Sequence, residues 1–149
     1  RRSQTVQPQP TRSNVRTKMS KPLLLNDAGL ALDGNDAVSY FTEDAPVAGS
    51  EDYAVEYDGG KYLFSSEENK AAFEEAPEKY APQFGGYCAT AMSEGKVFPA
   101  DANSYRVTDD KLYVFFRNEE IETLPKWLEN EEERKKLAHA HWDADDYVQ

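Results

Sequence analysis

A single cysteine, Cys88, stands in a chain of 149 residues. No disulfide can form within the chain, and the multi-cysteine zinc patterns are excluded within one copy. Histidine is nearly as scarce, with only His139 and His141. At i and i+2 on a helix the two rings point apart, which argues against shared chelation and for structural roles. His141 is expected to be partly buried and His139 to face water. Long apolar runs are missing too. Leu23-Leu24-Leu25 and Val114-Phe115-Phe116 fall far short of the roughly 18 residues a membrane-spanning helix requires. Acid is absent from residues 1–25, which carry Arg1, Arg2, Arg12, Arg16, Lys18 and Lys21. Residues 26–149 hold eleven basic and twenty-eight acidic side chains, a net charge of −17. Such an acidic body argues against nucleic acid, whose phosphates need an opposing basic surface.

Signatures of catalysis are also lacking. The pairs Gly59-Gly60 and Gly85-Gly86 do not have the strand–glycine–helix spacing of a phosphate loop. No serine sits in a nucleophile elbow. The neighbouring carboxylates Asp109-Asp110, Glu119-Glu120 and Asp145-Asp146 fall at turns or ends and read as solvated faces. No internal repeat long enough for a solenoid is visible.

What remains is enough for one domain with an aromatic core, drawn from seven Phe, nine Tyr and two Trp. Residues 1–22 are rich in Arg, Ser, Thr, Gln and Pro and show no period. They read as a disordered tail or as a targeting remnant, because transit peptides share that composition. Leu30-Ala31-Leu32-Asp33-Gly34 predicts a short strand and turn. Asp36 is placed to cap a brief helix over Ala37–Phe41 by accepting backbone N–H bonds. Tyr53, Val55 and Tyr57 alternate with polar residues, Asp58-Gly59-Gly60 turns, and Tyr62-Leu63-Phe64 returns, which predicts a hairpin. Ser65 and Glu68 have capping-box spacing for a helix to about Ala76, with Ala72, Phe73 and Ala76 as its apolar stripe. A second short helix is expected over 87–93, with Tyr87, Cys88, Ala91 and Met92 on one face. A second hairpin is expected over 104–116, turning at Asp109-Asp110. Residues 119–142 predict two helical pieces. Ile121, Leu124, Trp127 and Leu128 form one stripe, and Leu137, Ala138, His141 and Trp142 the other. Glu131–Lys135 and Glu132–Lys136 are expected as i,i+4 pairs on an exposed face. The chain thus divides into a basic extended arm (1–25), a domain (26–142) and an acidic, frayed tail (143–149).

Several stretches resemble the YHS-domain family. They are Leu32-Asp33-Gly34-Asn35-Asp36-Ala37-Val38-Ser39-Tyr40-Phe41, then Tyr57 to Asn69, then Phe73 to Tyr80. The likeness is strongest at Tyr80-Ala81-Pro82-Gln83-Phe84-Gly85-Gly86-Tyr87-Cys88-Ala89, and Trp142 has a counterpart in many members. Together these span residues 30–142. The resemblance implies a small α+β domain with two β-hairpins packed against short helices and a helical C-terminus. It also brings a link to copper or heavy-metal handling. In the metal-handling branch a cysteine stands where this chain has Ser65, so the resemblance leaves Cys88 without its second soft partner.

Three functions follow as expectations. The leading one is a non-enzymatic binding or accessory subunit. Its basic arm would dock on protein subunits of a larger complex in a plastid or mitochondrion, with any membrane association peripheral and made through the complex; a cytoplasmic home is the alternative. The second is a copper or other soft-metal module using Cys88 with Met92, four residues on. The third is a thiol-based redox sensor or enzyme, favoured by a cysteine in the first turn of a helix. For Cys88 itself a packed core thiol is the favoured reading, ahead of both metal ligand and reactive thiol.

Overall fold

The computed structural model describes residues 21–148. Of the six cations of the arm only Lys21 is among them; Arg1, Arg2, Arg12, Arg16 and Lys18 lie outside the described residues. The fold is the expected α+β domain. Two antiparallel hairpins, β1 (Ser50–Tyr57) with β2 (Gly60–Phe64) and β3 (Asp101–Thr108) with β4 (Lys111–Phe115), are set among six helices. These are α1 (Ser39–Thr42), α2 (Glu67–Glu75), α3 (Pro77–Tyr80), α4 (Ala89–Ser93), α5 (Leu124–Glu129) and α6 (Glu131–Ala144).

The two hairpins are copies of one design. Ser50 pairs with Phe64 and Ala54 with Leu63; Asp101 pairs with Phe115 and Tyr105 with Val114. Each long strand breaks register after its first pair, and every paired position of the first hairpin recurs 51 residues later in the second. Both turns are two residues long with positive φ at each, at Asp58 and Gly59 and at Asp109 and Asp110. That geometry matches the twist of the flanking strands, and glycine and aspartate tolerate it best.

The copying extends beyond the hairpins. A 3-10 turn leads into each unit, Leu32–Gly34 in the first and Gln83–Gly86 in the second. A fully buried residue follows each turn, Asp36 and Cys88 respectively. Its backbone N–H donates to a loop carbonyl, Val47 in the first case and Phe98 in the second. Its side chain accepts a backbone N–H three residues on, from Ser39 and from Ala91. Each unit ends with an aromatic ring laid on the hairpin. Phe73 packs on Tyr62 and Phe64, and Trp127 packs on Tyr113 and Phe115. The absence of a solenoid stands, but a twofold structural repeat is present that composition alone did not disclose.

Strand β4 joins the halves. Leu112 and Val114 belong to the first core cluster, with Tyr40, Tyr62, Phe64 and Phe73. Tyr113 and Phe115 point the other way, into the second cluster with Phe84, Cys88, Met92 and Trp127. A strand whose two faces are both buried reads as a continuous apolar run, as this one does.

Several local expectations are corrected. Residues 30–34 form isolated bridges and a 3-10 turn rather than a strand. Ser66, not Ser65, caps α2, accepting the Asn69 N–H at 3.1 Å. Helix α4 begins at Ala89 with Cys88 as its cap, which leaves Tyr87 outside the helix. The expected i,i+4 pairs give way to two tertiary pairs and one i,i+3 pair within α6. Glu131 takes Arg106 through two bonds of 2.9 and 3.0 Å, and Lys135 reaches Asp109 at 2.5 Å and Glu132 at 2.8 Å. Ile121 lies ahead of α5, and both it and Leu128 are exposed, so the first stripe reduces to Trp127 and Leu124. In the second stripe Ala138 is buried while Leu137 is exposed. The tail is not frayed through residue 148. Val97 donates to the Val148 carbonyl, Val148 donates to Gly95, and Tyr147 stacks on Trp142.

Residues 21–26 form a strap across the front of the second 3-10 turn. Leu24 donates to the Gly85 carbonyl at 2.8 Å, and Lys21 reaches Asp145 at 2.7 Å and the Trp142 carbonyl. Gly85 has φ +65, and a Cβ there would meet the Pro22 carbonyl oxygen at 2.2 Å. Gly85→Ala is therefore expected to lift the strap and cost about 2 kcal/mol, from a left-handed side-chain residue and a lost close approach. Faster proteolysis within residues 21–26, at a urea midpoint that moves down, checks it.

Candidate functional site

Cys88 and Met92 are brought together as expected. Both are fully buried in the second core cluster. The thiol is completely used by the protein. The Thr123 hydroxyl spends its one proton on the Phe116 carbonyl at 2.7 Å. The 3.3 Å contact between Cys88 Sγ and Thr123 Oγ1 must then run from thiol to hydroxyl. Sγ in turn accepts the Ala91 N–H at 3.4 Å. A metal would need the thiolate, more donors and a way in. Among the described residues no group of three His, Cys, Asp or Glu side chains could hold an ion. The donor set does not fit a metal centre. The same enclosure gives no support to a reactive thiol, whose chemistry requires access.

Ser65 has a different neighbour. Its hydroxyl donates to Asp36 Oδ2 at 2.7 Å and its backbone N–H donates to the same oxygen at 2.9 Å. Asn69 Nδ2 adds a third donor at 2.8 Å, while Val38 and Ser39 donate their N–H groups to Oδ1 at 2.8 and 3.2 Å. Asp36 is thus a buried carboxylate held by five hydrogen bonds. Its role as acceptor for the backbone of the first short helix was legible in the sequence; the side of the carboxylate that gathers Ser65 and Asn69 was not. Cys88 is the second unit's counterpart of Asp36, while the position 51 residues after Ser65 is Phe116, whose carbonyl takes the Thr123 hydroxyl. The metal-site cysteine of the resemblance is replaced here by a hydroxyl that ties the hairpin to a buried acid.

The histidines are corrected in part. His139 does not face water. Its Nε2 lies 2.8 Å from the Tyr113 hydroxyl, and its ring packs at 5.0 Å on Phe84. Burial pushes the Tyr113 phenol up to about 12, so it stays protonated, and the tautomer of the imidazole sets which of the two donates. Burial, aided by Lys111 and Lys135 and opposed by Asp143, lowers the His139 pKa. His141 is half-buried, with Nδ1 2.6 Å from Asp146. A histidine whose folded pKa is depressed contributes stability while neutral, above its unfolded value near 6.5, and loses it as pH falls through the folded value. Stability is expected to drop on acidification from pH 7 through that window, with a shallower slope for His139→Gln; equal slopes in urea melts at several pH values would refute the assignment.

The outer charges are mostly structural. Arg106 holds Glu131 below the ordinary carboxylate range, despite partial burial, and the Trp127 indole N–H donates to the same carboxylate. Lys135 is nearly buried, and its bonds to Asp109 and Glu132 raise its pKa. The stretch 129–136 is therefore less free as a contact face than its charge pattern implies. Of the arm, Lys21 is seated over the Trp142 ring at 4.8 Å.

No curated protein and no solved structure matches the chain. The YHS domain model matches residues 38–84. That span is narrower than the 30–142 of the resemblance. It begins just before α1, takes in the first hairpin, α2 and α3, and ends at Phe84 as the second unit opens. That match places a YHS domain in the first of the chain's two structural units.

Proposed function

We propose that the protein is a non-catalytic accessory subunit, docked on a larger organellar assembly through its basic N-terminal arm. The observation that carries this reading is the partition of charge between residues 1–25, six cations and no acid, and the remainder at −17. A basic segment on an acidic body is a two-sided electrostatic handle, suited to a partner that presents an acidic groove for the arm and a basic face for the body. Two facts about the interior support it. The one thiol is sealed, and the buried carboxylate is saturated with donors, so neither is free for substrate.

The strap decides where to cut for the test. Residues 21–26 are part of the domain, so the informative variant lacks residues 1–20 only. Full-length and shortened proteins, tagged and expressed in the source organelle, are compared for co-purification with the assembly at rising salt. Loss of the assembly from the shortened protein, with an unchanged melting curve, is the expected result. Equal recovery would end the arm hypothesis. Metal analysis of the wild type and Cys88→Ser is expected to give equal copper and zinc contents; metal lost only from the variant would return Cys88 and Met92 to the role of ligands.

A further inference from the structure

Where the two units meet, the fold leaves a cleft of about 320 Å³. Leu30 and Leu32 enter it from the first unit, Val114 from the second, and Leu24 of the strap closes it. Two carboxylates, Asp33 and Asp101, join these apolar walls, and no basic side chain lines the cleft. The acids are not equivalent. Asp101 already holds Arg117 at 3.0 Å and the Asn103 N–H at 2.8 Å. Partial burial would raise its pKa, but those two partners overcome it and hold the group low. Asp33 takes only the Asn26 amide, at 3.0 Å, and has no ion-pair partner among the described residues. The volume lies at the small end of the range of ligand pockets, and an apolar floor with a few polar groups is their usual lining.

We infer that this junction cleft binds a small amphipathic cation. Its apolar body lies against Leu30, Leu32 and Val114, and its ammonium head meets Asp33 at the rim. Charge complementarity selects the occupant. A carboxylate or phosphate would face the uncompensated charge of Asp33, and a bare metal ion would gain nothing from the leucine floor. Both units and the strap contribute walls, so the site exists only in the assembled chain. It is independent of residues 1–20, because every wall lies within residues 24–114; a failed docking test leaves it standing.

The test uses the full chain with methyl-labelled leucine and valine, titrated with hexylammonium, hexanoate and hexanol in separate runs. Hexylammonium is expected to move the Leu24, Leu30, Leu32 and Val114 methyl signals along one saturable curve. Asp33→Asn, a change at an exposed position, is expected to weaken that binding about tenfold and to leave hexanol within about twofold, while Asp101→Asn has the smaller effect because Arg117 already neutralises it. Hexanoate binding as tightly as hexylammonium would overturn the inference. So would an unchanged affinity in Asp33→Asn, or shifts spread over methyls outside the cleft.

Discussion

Replacing Asp36 by alanine is expected to lower folding stability by on the order of 4 kcal/mol, a large part of the margin of a domain this size. The substitution removes the acceptor for five donors at once. It strands the N–H group of Val38 beside a position where Asp36 itself has no exposure and takes the acceptor from that of Ser65, while the Ser39 N–H keeps the Asp36 carbonyl at 3.1 Å. The side chain is a joint between three pieces, the entry to α1, the end of β2 and the first turn of α2, so its loss loosens all three. Asp36→Asn keeps the shape and one oxygen, yet turns an amide toward donors that need an acceptor. It should fall between wild type and alanine. Urea melts at constant m-value measure both, and a loss under about 1 kcal/mol for alanine would show that water satisfies those donors instead.

Trp127→Ala is expected to cost about 4 kcal/mol, within the range for deleting a buried aromatic side chain. Trp127 is fully enclosed, at 5.1 Å from the Tyr113 ring and 5.5 Å from Phe115, and its indole N–H donates to Glu131 at 2.8 Å. The structural repeat sharpens this prediction. Phe73 occupies the corresponding place on the first hairpin, so Phe73→Ala should cost a comparable amount through packing alone. Trp127→Phe should then separate the two parts of the tryptophan's effect, restoring most of the packing while leaving Glu131 with Arg106. If Trp127→Phe were no better than alanine, the indole hydrogen bond rather than the ring would be the main contributor.

Much of the architecture was open to reading because its signals are local. The alternation in Tyr53-Ala54-Val55-Glu56-Tyr57, the Asp-Gly turn and the β-prone run at Leu112–Phe116 each depend only on near neighbours. Lys61-Tyr62-Leu63-Phe64 and Leu112-Tyr113-Val114-Phe115 even carry the same Tyr-x-Phe beat, the visible trace of the repeat. Its remainder was hidden because buried Asp36 and buried Cys88 do one structural job with different chemistry. Ser65 and Ser66 offer the same hydroxyl one residue apart, so local spacing does not distinguish which of them caps α2. Only the position of Asp36, twenty-nine residues upstream, decides between them. The ion pairs of α6 depart from the helical spacing rule for a related reason. Glu131 and Lys135 satisfy a helical spacing rule, but Arg106 and Asp109 on the second hairpin are better partners than either is for the other. Cys88 was legible as a core thiol, and the proton count at Thr123 gives that reading its mechanism.

The shared strand β4 also governs how the protein comes apart. Its four consecutive buried residues are divided between two cores, two to each, so neither core can be exposed while the strand stays in place for the other. A chain assembled from two copies of one unit could have behaved as two beads, each opening alone. Here the amides of Leu112 to Phe115 should be among the slowest to exchange with deuterium, released only when both halves open together, and neither half has a private route to unfolding through that strand.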